Sequence, residues 1–281
     1  MTFIILHPML RFSLLLLLCA LCAQPLCAQK ASAPAPKAVT GTILLDSKKM
    51  PDAKALLAAL RNDWKLRTDS STTADKTIVF NHNGLTVMLA YLDYPADRDE
   101  LAAAARLSWL WKTAAADIAK HQAQVVVSVL GPESRVLDLY ATLTKTLAAA
   151  LQHSPSIGVF MNSQYLLLPK DFYLSSARTL LKDKTLPVYC WVYFGMMEEG
   201  EASSGYTYGL RDFGLEEMEI VKAAAPVAET HALLLDAAAS VIQYHIKLQS
   251  GQPFTTIEGT KVTPQKGKAA FVDGETFQLT F

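Results

Sequence analysis

Apolar residues recur in this chain at two spacings, and the change from one to the other divides it into elements. Between Pro51 and Trp64, the residues Leu56, Leu57, Leu60 and Trp64 fall on one helical face, and Pro51 suits a first turn, where its missing N–H costs nothing. Leu101, Ala104, Ser108, Trp111, Ala115 and Ile118 mark the longest stripe and predict one helix over Asp99–His121, with Trp109 and Leu110 widening its apolar face. Val136, Tyr140, Leu143, Leu147 and Leu151 predict a helix over Ser134–Leu151, and further helical patterns cover Asp171–Leu181 and Pro226–Tyr244. Strands are expected at Thr42–Leu45, at the continuous apolar run Val125–Leu130, at Ile157–Phe160 and at Leu186–Phe194. Pro187 belongs at the start of the last of these, since it donates no ladder hydrogen bond.

Two hairpins stand out. Lys76–His82 and Leu85–Tyr91 flank Asn83-Gly84, and a two-residue loop there sets Phe80 opposite Val87 and Ile78 opposite Leu89. The run AAFVDGETFQLTF predicts a second hairpin around Asp273-Gly274, with Val272 facing Glu275 and Ala270 facing Phe277. The fold class is therefore α+β, a mixed or antiparallel sheet with packed helices. The order strand, helix, hairpin, helix, strand up to Leu130 suits a ferredoxin-like split βαβ unit. Two readings follow: a first α+β module over residues 40–131 and a second over 132–281, divided at Gly131-Pro132, or one compact mixed sheet; with no polar internal linker, the parts are expected to be closely associated.

The N-terminus changes the setting of that domain. Arg11, the leucine-rich run Phe12–Cys19 and the small residues of Ala20–Ala28 have the order of a secretory signal, too short to span a bilayer, with cleavage after Cys22 or Ala28. The mature protein is expected to be secreted or periplasmic, without a stable transmembrane segment. KASAPAPKA, Lys30–Ala38, follows as the core of a flexible linker over residues 29–39. Removing residues 1–28 takes away one of 26 basic residues and none of the 26 acidic ones, for a formal charge of −1. A net charge this close to zero argues against nonspecific binding to nucleic acid or an anionic membrane, both of which need a basic face. Of the four cysteines only Cys190 remains, so the fold must rest on its apolar core.

The densest group of special residues is GYTYGLRDFGLEEMEI, Gly205–Ile220. Gly205, Gly209 and Gly214 are candidate turn formers, and Tyr206, Tyr208, Arg211 and Asp212 are candidate binding residues, with Arg211 and Asp212 close enough in sequence for a local ion pair. The glycine spacing matches neither the dinucleotide fingerprint nor a nucleotide-phosphate loop, and no cofactor is implied. If LEEMEI is a strand, Glu217 and Glu219 share a face. With Asp212 they are the candidate catalytic carboxylates for acid and base roles, while the simpler expectation is a wet sheet face. Glu198, Glu199 and Glu201 lie in MEEGEASSG, expected as an exposed loop without the ligand spacing of a calcium site. Cys190 is expected to pack as a small apolar residue; a Cys190–His231–Asp212 nucleophilic arrangement is the alternative. His121 is placed to pair with Asp117 one turn earlier. No histidine spacing is that of zinc, so no metal is implied. Lys261, Lys266 and Lys268 form a small basic patch, expected in a loop.

The Gly205–Ile220 stretch resembles the signature of the family designated domain of unknown function 4261, through Thr207, Gly209-Leu210, Phe213-Gly214 and the acidic pair Glu217 and Glu219. The helix around Trp109 leading to His121, Trp191 after an apolar run, and Val241-Ile242-Gln243-Tyr244 extend the similarity over roughly residues 40–259. Tyr208 separates the threonine and glycine that are usually adjacent, and the leader and the residues after Gly259 are additions. The resemblance implies a soluble protein with an unassigned activity and, through relatives near bacterial toxin and immunity loci, an immunity-like role. Taken together, the sequence predicts an exported non-enzymatic domain that binds a protein or a small ligand. A hydrolase using the acidic residues of 211–219 and a structural envelope protein are the alternatives.

Overall fold

The computed structural model describes residues 36–182 and 185–280; the expected leader and residues 29–35 of the expected linker lie outside them. β1 (Lys37–Leu45) begins inside that expected linker. Lys37 and Ala38 pair with Gly131 and Leu130 because β5 (Ala123–Gly131) runs alongside β1 over its whole length and satisfies its backbone there. α1 (Ala53–Asn62) is capped by Asp52, which accepts from the Ala55 N–H, so Pro51 precedes the cap instead of opening the helix. β2 (Asp69–Ala74), β3 (Thr77–His82) and β4 (Leu85–Leu92) form a meander. In it Asn83 and Gly84 take φ of 49° and 78°, and Phe80 faces Val87 and Ile78 faces Leu89.

The long helix expected over Asp99–His121 is two helices, α2 (Arg98–Leu107) and α3 (Ala114–Ile118). Tertiary partners break it. Ser108 Oγ donates to the Leu167 carbonyl at 2.8 Å, Trp109 Nε1 donates to the Phe194 carbonyl at 3.1 Å, and the Trp111 ring lies over Gly158, where an added Cβ would come within 2.6 Å of it. Asp117 is taken by Trp111, Thr113 and Lys120, which holds its carboxyl down to about 2, chiefly through the Thr113 hydroxyl. His121 therefore donates from Nδ1 to the Ile118 carbonyl and does not pair with Asp117.

α4 (Val136–Gln152), β6 (Ser156–Met161), β7 (Leu166–Pro169) and α5 (Lys170–Lys182) follow. β6 and β7 join the same sheet as the earlier strands, so Gly131-Pro132 ends a strand without ending the sheet. That sheet is antiparallel throughout, in the order β2-β3-β4-β5-β1-β6-β7. The order departs from a ferredoxin-like unit, which would set β1 between β4 and β5. Here β5, apolar on both faces, takes the place between β4 and β1.

The run expected as a strand over Leu186–Phe194 instead turns through a 3₁₀ segment, Val188–Cys190, in which the Cys190 and Trp191 N–H groups bond to Pro187 and Val188. β8 starts only at Tyr193 (Tyr193–Glu199) and pairs with β9 (Ala202–Tyr208). MEEGEASSG is thus a hairpin turning at Gly200-Glu201, not a loop, and Ser203 and Ser204 are buried because they bond to Thr230, the Ala225 carbonyl and the Lys222 N–H. β10 (Met218–Ala223), α6 (Val227–Tyr244), β11 (Phe254–Thr255), β12 (Lys261–Lys268) and β13 (Glu275–Thr280) complete the chain. The second sheet runs β11-β12-β13-β10-β9-β8, antiparallel except between β10 and β13. The lysines expected in a loop lie on or at the ends of β12, where Lys266 pairs with Glu216 and Glu275. The last hairpin is wider than expected: Phe277 faces Lys266 and Glu275 faces Lys268, which leaves residues 269–274 as its loop.

One apolar core runs through both sheets, with α4 packed on β1 and β5 and α6 packed on β8, β9 and β10. A smaller core, Leu44, Leu101, Trp111, Phe160 and Leu167 among it, lies under α2 and α3. None of the described helices is long and apolar enough to cross a membrane.

Candidate functional site

β9 sets up the site through its alternation. Tyr206 and Tyr208 point to one face and Thr207, fully buried, to the other. Across the hairpin Tyr193 faces Tyr208, and Gly195 faces Tyr206. A Cβ on Gly195 would sit 2.1 Å from the Tyr206 ring, so the absent side chain is what lets that ring lie across β8. Tyr206 in turn stacks on Phe271, centroids 5.6 Å apart, and meets Tyr193 at 6.0 Å. With Arg211 and Tyr165 these rings line an open cleft of about 550 Å³, bounded at the far side by Val272 and Asp273. Burial, reinforced by the neighbouring Tyr206 phenol, pushes Tyr193 up to about 12; burial also raises Tyr206. Both phenols are therefore neutral hydrogen-bond donors at neutral pH.

The turn beside the cleft is the 3₁₀ segment Leu210–Phe213, bracketed by Gly209 at φ 126° and Gly214 at φ 70°. Gly209 is doubly constrained, because a Cβ there would come within 2.9 Å of both the Trp191 carbonyl oxygen and Gln164 Cγ. Gly205 makes no turn. It lies in β9, where Met196 and Leu234 fill the space of its missing side chain.

The carboxylates expected on a wet face, or as an acid and base pair, are buried and used as acceptors. Glu217, 1% exposed, accepts from Thr207 Oγ1 at 2.8 Å, from the Gly209 N–H at 2.9 Å and from the Arg211 N–H at 3.3 Å. Glu219, 0% exposed, accepts from the Ala270 and Phe271 N–H groups at 2.9 and 3.0 Å. The first holds the 3₁₀ turn and the second holds the loop that carries Phe271. This clamp also explains the wide last hairpin, since Ala270 gives its N–H to Glu219 and not to a strand partner.

Arg211 and Asp212 diverge instead of pairing. Arg211 Nη2 donates to the Asp273 carbonyl at 2.8 Å, tying the turn to the far wall of the cleft. Asp212 points inward, accepting from Tyr140 OH and Gln164 Nε2, both at 2.5 Å. Burial foremost, and then the Asp212 charge, hold the Tyr140 phenol far above its ordinary range. Lys37 Nζ donates to the Asp212 carbonyl at 2.5 Å and lies 4.0 Å from its carboxylate. Gln164, buried at the base of the cleft, keeps its Oε1 without a partner.

The structure does not assemble a Cys190–His231–Asp212 site. Cys190 is fully buried next to Ser176 and Tyr173, and burial drives its thiol far up. His231 stacks on Tyr189 and meets Trp109, and burial lowers it. Among the described residues no three His, Cys, Asp or Glu side chains are grouped to hold a metal ion.

Sequence reasoning missed Tyr193, Phe271, Gln164 and Tyr165. Asn162-Ser163-Gln164 between two apolar runs was the available signal for a turn, and the turn is there: a 3₁₀ segment that leaves Tyr165 at φ 49°, an uncommon backbone for so large a residue, with its ring 46% exposed on the rim. No family model, no curated protein and no solved structure matches the chain.

Proposed function

We propose that this is a binding protein, exported by its leader, that captures a partner in the tyrosine-lined cleft, and that the family its Gly205–Ile220 stretch resembles shares this plan. One observation carries the reading: Tyr165, Tyr193, Tyr206, Tyr208 and Arg211, brought from three separate stretches of chain, converge on one open cleft. Tyrosine supplies a large amphipathic contact area while losing few rotamers, and tyrosine and arginine dominate the energetics of binding surfaces. Glu217 and Glu219 are engaged in holding the walls, which favours binding over hydrolysis by that pair. Arg211 selects for carbonyl or carboxylate groups on the partner.

The test is native mass spectrometry of the mature protein from its own cell extract, comparing the natural chain with a Tyr206→Ala, Arg211→Ala variant. Expected is an added mass that the natural chain retains and the double variant loses while its circular dichroism is unchanged. Retention of that mass by the folded double variant would place binding elsewhere. Turnover of a screened substrate that disappears in folded Glu217→Gln protein would support the hydrolase instead.

A further inference from the structure

We propose that a groove between α5 and α6 binds a single-chain amphiphile with a cationic head, in its simplest form an alkylammonium. The groove shares no lining residue with the tyrosine cleft, so this inference does not rest on the binding function proposed above.

Three local structures build the groove. The run that turns through the 3₁₀ segment instead of forming a strand supplies Pro187 and Val188, both buried, as part of its lining. α6 supplies Ala232, Leu235 and Ala239, which at i, i+3 and i+7 share one helical face. Alanine at two of these positions, with Ser176 and Thr179 from α5, leaves a cavity of about 410 Å³, within the usual range for small-molecule sites. The third structure is the loop at Ile257-Glu258, which is tied to α6. The Ile257 N–H donates to Ser240 Oγ at 2.8 Å, and the Glu258 N–H donates to the Asp236 carboxylate at 3.2 and 3.3 Å. Ile257 is left 44% exposed, an apolar side chain at the groove with water on it.

Charge decides the occupant. Among the described residues that line the groove, Asp236 and Glu258 carry the only charges, and neither is engaged in an ion pair. A carboxylate has more acceptor sites than the one Glu258 N–H fills, so Asp236 can receive an ammonium and keep its bond to the loop. An ammonium brings donors to both carboxylates, while its alkyl chain covers Val188, Leu235 and Ile257. A fatty carboxylate would bring like charge against both acids, and a strongly polar ligand would leave the apolar lining wet.

The experiment is calorimetric titration of the mature protein with decylammonium, octylammonium and decanoate, each below the concentration at which it forms micelles. Expected is one decylammonium per chain, with octylammonium bound roughly tenfold more weakly for its shorter chain and decanoate more weakly still. Asp236→Asn together with Glu258→Gln should lower decylammonium affinity roughly fivefold with circular dichroism unchanged. Ala232 is exposed on α6, and Ala232→Phe should fill the groove and abolish binding in a folded protein. The Tyr206→Ala, Arg211→Ala variant should bind decylammonium as the natural chain does, whether or not the cleft captures a partner. The inference is overturned if decylammonium does not bind, if decanoate binds as tightly, or if the carboxamide pair leaves affinity unchanged. Binding that survives Ala232→Phe, or is lost with Tyr206 and Arg211, would place the amine outside this groove. A dimer in sedimentation that Ala232→Phe dissolves would give the groove to a second copy of the chain instead.

Discussion

Glu217 and Glu219 are two residues apart, yet they serve different loops. Glu217 answers three donors around the 3₁₀ turn, and Glu219 answers two N–H groups of the 269–274 loop. A carboxylate has two acceptor oxygens; a glutamine offers one oxygen and an NH₂ that repels an N–H donor. Glu219→Gln therefore leaves one of the Ala270 and Phe271 amides without its acceptor, at a cost of about 1–3 kcal/mol if the amide stays buried. That loop has a cheaper response available, because it lies at the cleft rim and can move out to water. The expected result is a modest fall in the urea midpoint together with faster hydrogen exchange at Ala270 and Phe271, and weaker cleft binding because Phe271 no longer braces Tyr206. Unchanged exchange at those two amides would show that Glu219 does not position the rim.

At the scale of the element, the 3₁₀ turn separates two glycines that the sequence presents as equivalents. Gly214, at φ 70°, has open space where a Cβ would go, whereas Gly209, at φ 126°, has the Trp191 carbonyl and Gln164 at 2.9 Å. Gly214→Ala should cost only the backbone preference, about 1 kcal/mol, and Gly209→Ala should cost at least about 2 kcal/mol more, because a backbone atom must move as well. Comparing the denaturation midpoints of the two purified variants checks the ranking. Equal losses would mean that the close approach at Gly209 is relieved freely. The same contrast explains what was legible in the sequence. The Asn83-Gly84 hairpin could be read to its register because the local requirement for positive φ settles it. The break between α2 and α3 could not, since it depends on carbonyls at Leu167 and Phe194 far along the chain. β2 was invisible because it is exposed throughout and carries no apolar alternation. Tyr206, Tyr208 and Arg211 could be picked out as a polar and aromatic group beside glycines. Tyr193 and Phe271 could not, because their part in the cleft comes from strand pairing and from the Glu219 clamp.

For the molecule as a whole, the burial of tyrosine sets an alkaline limit on stability. Five of the ten tyrosines, Tyr140, Tyr173, Tyr189, Tyr193 and Tyr206, are raised above the ordinary value of 10, with burial the largest cause for each. A phenol raised in the fold is held neutral there while the unfolded chain releases its proton near 10. The stability this gives is fully present below pH 10 and is lost as pH rises, through about 12 for Tyr193, with Tyr140 and Tyr173 also held well above the ordinary value. The buried Cys190 thiol, also raised, acts in the same direction. Raising the pH should thus ionise these five phenols together with the loss of circular dichroism, as unfolding exposes them. Tyr193→Phe removes one of these phenols and should shift the unfolding midpoint upward in pH. Were these five phenols to ionise near pH 10 with the circular dichroism intact, the walls of the cleft would be far more open to water than this packing allows, and its phenols would be poor candidates for desolvated donors to a partner.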